Sequence, residues 1–390
     1  MLRFLGWKDA VADMFLRPGA LIVTVALALG ATPWLVHAQG TTSGPWVMQP
    51  SGTKAGLRGI HAVGGGVAWA SGTNGTVLRT EDSGYMWQSC AMPPGAEKLD
   101  FRGVWAWDAN TAIVMSSGPG ILSRLYKTTD GCSHWTLLFT NPDKDGFWDA
   151  IVFPDRKNGF LLGDPVNGEF VLLYTFDQGR TWDRVKTSDL GQGKTRIGAF
   201  AASNSSLIDG GSRVPWFGTS GPDGPYVYIG DSVCTSLTAQ MDPAACYRSG
   251  LRFDKKKLPL AGNSASSGIF SLATNTPGYH GYTVVAVGGD YSKPNGSAGT
   301  AAWTADVGKT WTAAENPPHG YRSAVAWDVD AKAWIAVGTN GSDVSYDDGK
   351  TWSPLDNGKW NALSLPWVVG PEGLIAKLGA LPERKNGSQK

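Results

Sequence analysis

Thr304-Ala-Asp306-Val-Gly308-Lys-Thr310-Trp311 and Ser345-Tyr-Asp347-Asp-Gly349-Lys-Thr351-Trp352 share one pattern, Ser/Thr-x-Asp-x-Gly-x-Thr-Trp. A third full copy, Thr175-Phe-Asp177-Gln-Gly179-Arg-Thr-Trp182, and two looser ones, Thr80-Glu-Asp82-Ser-Gly84-Tyr-Met-Trp87 and Thr128-Thr-Asp130-Gly-Cys-Ser-His-Trp135, precede them. From Thr80 the copies fall at steps of 48, 47, 129 and 41 residues, and the long step has room for one degenerate repeat plus an insertion. Self-similarity at such a period is the mark of a repeat architecture. The chemistry of the box is that of a hairpin. Its Asp carboxylate can accept backbone N–H groups of its own turn, its Gly can take a positive φ, and its Trp can bury a large ring from the next strand. Asp82, Asp130, Asp177, Asp306 and Asp347 are therefore expected to be structural staples.

Upstream of the boxes a second repeat marks where each unit begins: Leu57-Arg58-Gly59-Ile60, Phe101-Arg102-Gly103-Val104, Phe147-Trp148-Asp149-Ala150-Ile151, Ala199-Phe200-Ala201, Gly268-Ile269-Phe270-Ser271, Tyr321-Arg322-Ser323-Ala324 and Trp360-Asn361-Ala362-Leu363. In the third unit, apolar runs at 159–163 and 170–174 flank Asp164-Pro165-Val166-Asn167-Gly168, which reads as two strands and a turn. Seven such units cannot bury both faces alone but can share a core when packed radially, and closure protects most edges. The expected fold is all-β, a seven-bladed β-propeller over residues 43–383. The last unit lacks an outer strand, which Trp46-Val47-Met48 can supply, so the N- and C-terminal strands would pair to close the ring. The fourth unit has no tidy box; residues 231–245 read as a surface insertion pinned by its disulfide, with a partner-binding or pocket-covering loop as the sharper alternative.

The boxes resemble bacterial neuraminidase (sialidase-type) repeats, and the fuller pattern is similar to the photosystem II stability/assembly factor family over about residues 43–383. The matching stretches include Gly72-Thr-Asn-Gly-Thr-Val-Leu-Arg-Thr80, Leu162-Gly-Asp-Pro165, Val287-Gly-Gly-Asp-Tyr291 and Tyr321-Arg-Ser-Ala-Val-Ala-Trp327. The resemblance implies a lumenal or periplasmic scaffold that holds other proteins during assembly. The box itself specifies architecture and says little about chemistry.

Composition agrees with a folded, exported β protein. Of 390 residues, 52 are Gly and 18 Trp, and 42% are hydrophobic, enough for a core. Residues 1–38 read as an export signal: Arg3, Lys8 and Arg17, then the apolar run 20–29 (ALIVTVALAL), then Val36-His37-Ala38 with small residues flanking a cleavage point. An uncleaved anchor is the alternative, because residues 19–36 carry no charge, and it would be the only tie to a membrane. Without residues 1–38 the chain has equal numbers of basic and acidic side chains and no basic stripe, which argues against nucleic-acid binding. The location expected is periplasmic or extracellular, with residues 384–390 a solvated tail. Four cysteines in an exported chain suggest disulfides, Cys234 with Cys246 across the insertion and Cys90 with Cys132 between neighbouring repeats. Their spacing fits neither a zinc ribbon nor a redox motif, and the five His residues show no metal-ligand spacing, so neither metal nor cofactor is expected.

In a propeller, the starts of the innermost strands and the turns between second and third strands lie on one face. That phase places Arg58, Arg102, Trp148, Asp149, Tyr321 and Arg322 at strand starts, and Asp164, Asp290 and Tyr291 in turns of the same face, opposite the boxes. Together they would line one polar mouth. As a protein-docking surface, it would use arginine forks for carboxylates or phosphates, with Trp148 and Tyr321 as anchors. As a glycoside hydrolase, it would take two carboxylates from Asp149, Asp164 and Asp290 and clamp an acidic glycan with the arginines. Sialidases, however, carry Phe-Arg-Ile-Pro before the boxes and a Tyr–Glu pair. Here Phe101-Arg102 is followed by Gly103-Val104 and comes after the first box, and Glu169 is the nearest Glu to this face. A third reading has the Arg and Asp side chains merely pairing around a water-filled channel.

Overall fold

The computed structural model describes residues 42–383 apart from 192, 194–195, 212, 233–246, 248–250 and 276–281. The expected signal, the tail, and Cys234 and Cys246 lie outside the described residues. The chain folds as a seven-bladed β-propeller of antiparallel sheets. Blade 1 comprises Leu57–Gly64, Val67–Gly72, Val77–Thr80 and Gln88–Ser89, running outward from the axis. Blades 2 to 6 repeat this meander over residues 101–140, 148–184, 207–257, 267–313 and 324–356. The innermost strand of each blade lies beside that of the next, and the seventh returns to the first.

Blade 7 closes the ring. Its inner strands Ala362–Ser364, Trp367–Val369 and Ile375–Leu378 are followed in the sheet by Trp46–Gln49 and then Thr42–Ser43. Trp46 pairs with Leu378 and Gln49 with Ile375, so the two ends of the propeller share one ladder. Trp46 is fully buried and donates its indole N–H to Ser342 Oγ at 2.9 Å. Second strands such as Ala112–Ser116 and Ala333–Gly338 are buried at every position, because both sheet faces are covered by neighbouring blades.

All five boxes use one hydrogen-bond scheme. In blade 5, Thr304 Oγ1 donates to Asp306 Oδ1 at 2.7 Å and accepts the Gly308 N–H at 3.1 Å, while Asp306 Oδ1 also accepts the Thr310 N–H at 2.9 Å. The same contacts recur around Asp82, Asp130, Asp177 and Asp347. The turn requires two successive positive φ values, as at Val307 (59°) and Gly308 (79°). In blade 2 the glycine position is taken by Cys132, at φ 65°, and its sulfur is bonded to Cys90 of blade 1. The disulfide thus ties the outer end of one blade to the box of the next.

Blade 4 corrects the sequence reading. The segment 199–201, taken as the start of its first strand, is not in the ladder; that strand is Leu207–Asp209. Gly198 bridges Ser220 and Leu207 pairs with Phe217, and residues 199–206 loop out between them. The looped-out residues cross the centre of the ring. Asn204 Oδ1 accepts the Ile151 N–H at 2.8 Å and its amide N donates to Ile151 O at 3.0 Å, in blade 3. Ser203 Oγ donates to Ser323 O in blade 6, and Ser205 Oγ to Ser271 Oγ in blade 5, both at 2.7 Å. The segment is a plug, so the channel becomes two separate concavities.

Candidate functional site

The start-face concavity is built by a repeated bulge. In blades 1, 2, 3 and 5 the innermost strand carries one extra residue near its beginning: Arg58, Arg102, Asp149 and Phe270. Ser323 and Asn361 hold the same place in blades 6 and 7, each donating its N–H to the residue that pairs with its successor. A bulge turns its extra side chain out of the regular alternation, and here that direction is the axis. Arg58, Arg102, Phe270, Ser323 and Asn361 line a cavity of about 390 Å³, joined by Phe200 from the plug and by Tyr291 and Tyr321.

One side of the cavity is cationic. Arg102 Nε donates to Asp100 Oδ2 at 2.8 Å, and its Nη1 reaches Ala201 O at 3.2 Å, so blade 2 braces the plug. Arg58 stands 3.9 Å from the same carboxylate, beyond hydrogen-bond reach, and is more than a third exposed. Among the described residues its guanidinium has no hydrogen-bond partner. Two arginines thus share one aspartate. The other side is aromatic: Phe200 stacks on Phe270 with centroids 3.8 Å apart, and the edges of Tyr291 and Tyr321 meet the Phe270 ring at 6.2 and 4.7 Å. Tyr291 is 53% exposed, whereas Tyr321 is buried and burial pushes its phenol up.

Of the nine residues expected at the mouth, the structure brings Arg58, Arg102, Tyr291 and Tyr321 together and corrects the placement of others. Arg322 is fully buried, one residue out of phase: it aligns with Leu57 and Phe101, and Ser323 takes the bulge. Trp148 is also a core side chain, stacked on Phe139 at 5.5 Å. Asp149 occupies the bulge position but is only 1% exposed. Burial, with the neighbouring Asp164 charge, holds its carboxyl well above the usual range, against the pull of Arg102. Asp164 sits within strand Gly159–Val166 rather than in a turn, and its Oδ1 accepts the Ala199 N–H at 2.9 Å. Asp290 ends its strand and accepts from the Ser292 hydroxyl and N–H; burial works to raise its pKa, but bonds from Ser266 and Ser292 hold it below the ordinary value. The three candidate glycosidase carboxylates therefore do not converge on one open surface.

Sequence reasoning missed Asp100, Phe200 and Phe270. The signal for Phe270 was present, since it follows Ile269 as Arg58 follows Leu57 and Arg102 follows Phe101.

No protein-family model matches the chain, and no curated protein matches it in sequence. Solved structures match its fold. YCF48 bound to a D1 peptide aligns at 14% identity and TM-score 0.57, covering 88% of this chain and 99% of that one. YCF48 from Cyanidioschyzon merolae aligns at 16% and 0.56, covering 86% and 99%. A GH74 xyloglucanase from Xanthomonas campestris aligns at 14% and 0.52, covering 86% of this chain and 54% of the enzyme. At 14–16% identity these likenesses are of fold, a propeller.

Proposed function

We propose that this chain is an exported propeller scaffold that holds a segment of a partner protein at the start-face mouth and so assists assembly or stability of an envelope protein complex. The observation that carries this reading is Arg58. Its guanidinium lines the cavity with no hydrogen-bond partner among the described residues, 3.9 Å from the Asp100 carboxylate that Arg102 holds, and faces four aromatic rings. A planar fork of N–H donors suits a carboxylate or phosphate, and exposed Tyr291 offers ring area to an apolar neighbour of that group. That a YCF48 propeller has been solved with a peptide bound supports a peptide as the class of ligand. The Cys90–Cys132 disulfide supports a periplasmic or extracellular location, since structural disulfides persist in oxidising compartments.

The test is affinity capture from the protein's own envelope fraction, with identification by mass spectrometry, comparing wild type with Arg58→Ala plus Arg102→Ala. Loss of a reproducible partner at unchanged melting temperature supports the reading. If the double variant still captures every partner, docking lies elsewhere.

A further inference from the structure

The plug leaves a second concavity, on the box face, with a different chemistry. Its volume is about 470 Å³, within the size range of small-molecule pockets. The far ends of the innermost strands wall it: Ile60 and His61 of blade 1, Trp105 of blade 2, Phe153 just past the blade 3 strand, Ile208 of blade 4 and Leu363 of blade 7. The floor is Ser203-Asn204-Ser205, whose side chains are already engaged with blades 2, 3, 5 and 6. The cavity is therefore blind, and its floor offers a ligand little unspent polarity.

Two features narrow what fits. The first is a pair of packed rings, which holds the Trp105 indole at the wall. His61 and Trp105 lie with centroids 4.3 Å apart, and Trp105 also meets Phe153 at 6.1 Å. Trp105 and Ile208 are only partly covered, which leaves apolar area facing the hollow. The second is the absence of available charge on the lining. Its ionisable groups are His61 and Asp209. Burial holds the imidazole down to about 4, so it is neutral near pH 7. Asp209 is tied into its own turn, accepting the Gly211 N–H at 3.1 Å, and burial raises its pKa. An anion finds no cation here, and a cation finds a carboxylate already employed. His61 Nδ1 accepts the Ala106 N–H at 3.3 Å, which places the proton on Nε2 and makes that atom a donor.

We infer that the box-face cavity is a binding site for an uncharged aromatic small molecule of one or two fused rings, stacked on the Trp105 indole and accepting, at its edge, an in-plane hydrogen bond from His61 Nε2. This site is independent of the start-face mouth, because the plug separates the two.

Coumarin, a neutral two-ring probe with a carbonyl acceptor, tests it by isothermal titration and by intermolecular NOEs to the Trp105 indole, assigned through their loss in Trp105→Phe. Saturable one-to-one binding with those NOEs is expected. Thr274→Trp, which fills the hollow from its blade 5 wall, should weaken binding at least tenfold. His61→Phe, which keeps the ring and removes the donor, should weaken it several-fold. Arg58→Ala, which touches neither the plug nor this cavity, should leave it unchanged. The proposal fails if wild type shows no saturable binding or no NOE to Trp105. It fails also if a folded Thr274→Trp or His61→Phe variant binds as wild type does. Equal or tighter binding of coumarin-3-carboxylate would overturn the exclusion of charge.

Discussion

Arg322 donates from Nε to Asp343 Oδ2 at 2.6 Å, and neither side chain reaches solvent. The remaining arginine donors meet Tyr321 O, Asn340 Oδ1 and His319, and His319 Nδ1 in turn lies 2.8 Å from Asp343 Oδ1. This cluster sits under the blade 6 first strand and fixes the segment that leads into the mouth.

Removing one member should cost more than removing the pair. Asp343→Leu strands a buried guanidinium, and Arg322→Met a buried carboxylate; each should lower unfolding free energy by about 3–5 kcal/mol. Because each single variant leaves an uncompensated charge and the double variant leaves none, the double variant should be destabilised by less than either single. Urea unfolding of the four proteins measures this. An additive double variant would mean that the two groups are stabilised by separate partners.

The box hydroxyls and carboxylates are the same bonds made five times, so one box can be tested alone. Asp306 has its pKa lowered to about 2, first by the Thr310 hydroxyl, then by the Thr310 N–H. A folded-state pKa below the unfolded value stabilises above the ordinary aspartate range, and that stability is lost as pH falls toward 2. Asp306→Asn keeps an acceptor for Thr310 and removes the titration. Its difference in melting temperature from wild type should therefore shrink between pH 5 and pH 2.5. A constant difference across that span would show that the carboxylate's charge adds nothing to the turn.

What the sequence made legible, and what it hid, follows from which features repeat. The box turns, the seven units and the strand Trp46–Gln49 pairing with Ile375–Leu378 all rest on residue types that one local geometry demands, so they could be read in advance. The mouth could be read only to within one residue. Side-chain direction at a bulge depends on where the extra residue falls, and Tyr321-Arg322 looks like Phe101-Arg102 until the ladder shows Ser323 in the bulge. The plug was harder. Phe200-Ala-Ala-Ser203-Asn204-Ser205 has the small, polar composition of any loop, and nothing local says that its hydrogen-bond partners lie in four other blades.

His61 gives a pH dependence of the opposite kind to an ion-paired histidine. Its pKa falls from 6.5 to about 4 through burial, so the unfolded chain binds a proton before the folded one does. Stability should therefore drop as pH falls from about 6.5 to about 4, and this contribution should flatten below that. The same neutral state supplies the donor at Nε2. Chemical denaturation at pH 7.5 and pH 5 should show a smaller loss in His61→Phe than in wild type. Equal losses would place the titrating group elsewhere.

Asn204 tests whether the plug is held by its amide or by its backbone. The side chain satisfies both the N–H and the carbonyl of Ile151 and reaches Val104 O at 3.5 Å, while its own φ is 65°. Asn204→Ala removes the amide and places a Cβ-bearing residue without a local hydrogen bond in the left-handed region. Asn204→Gly removes the amide but accepts that backbone freely. If the amide dominates, both should lose about 2–3 kcal/mol, the cost of leaving the buried Ile151 groups unpaired. Both should also speed hydrogen exchange at the Ile151 amide. If Asn204→Gly instead retains wild-type stability and protection at Ile151, the plug is held by Ser203, Ser205 and Arg102, and the Asn is there for its tolerance of positive φ.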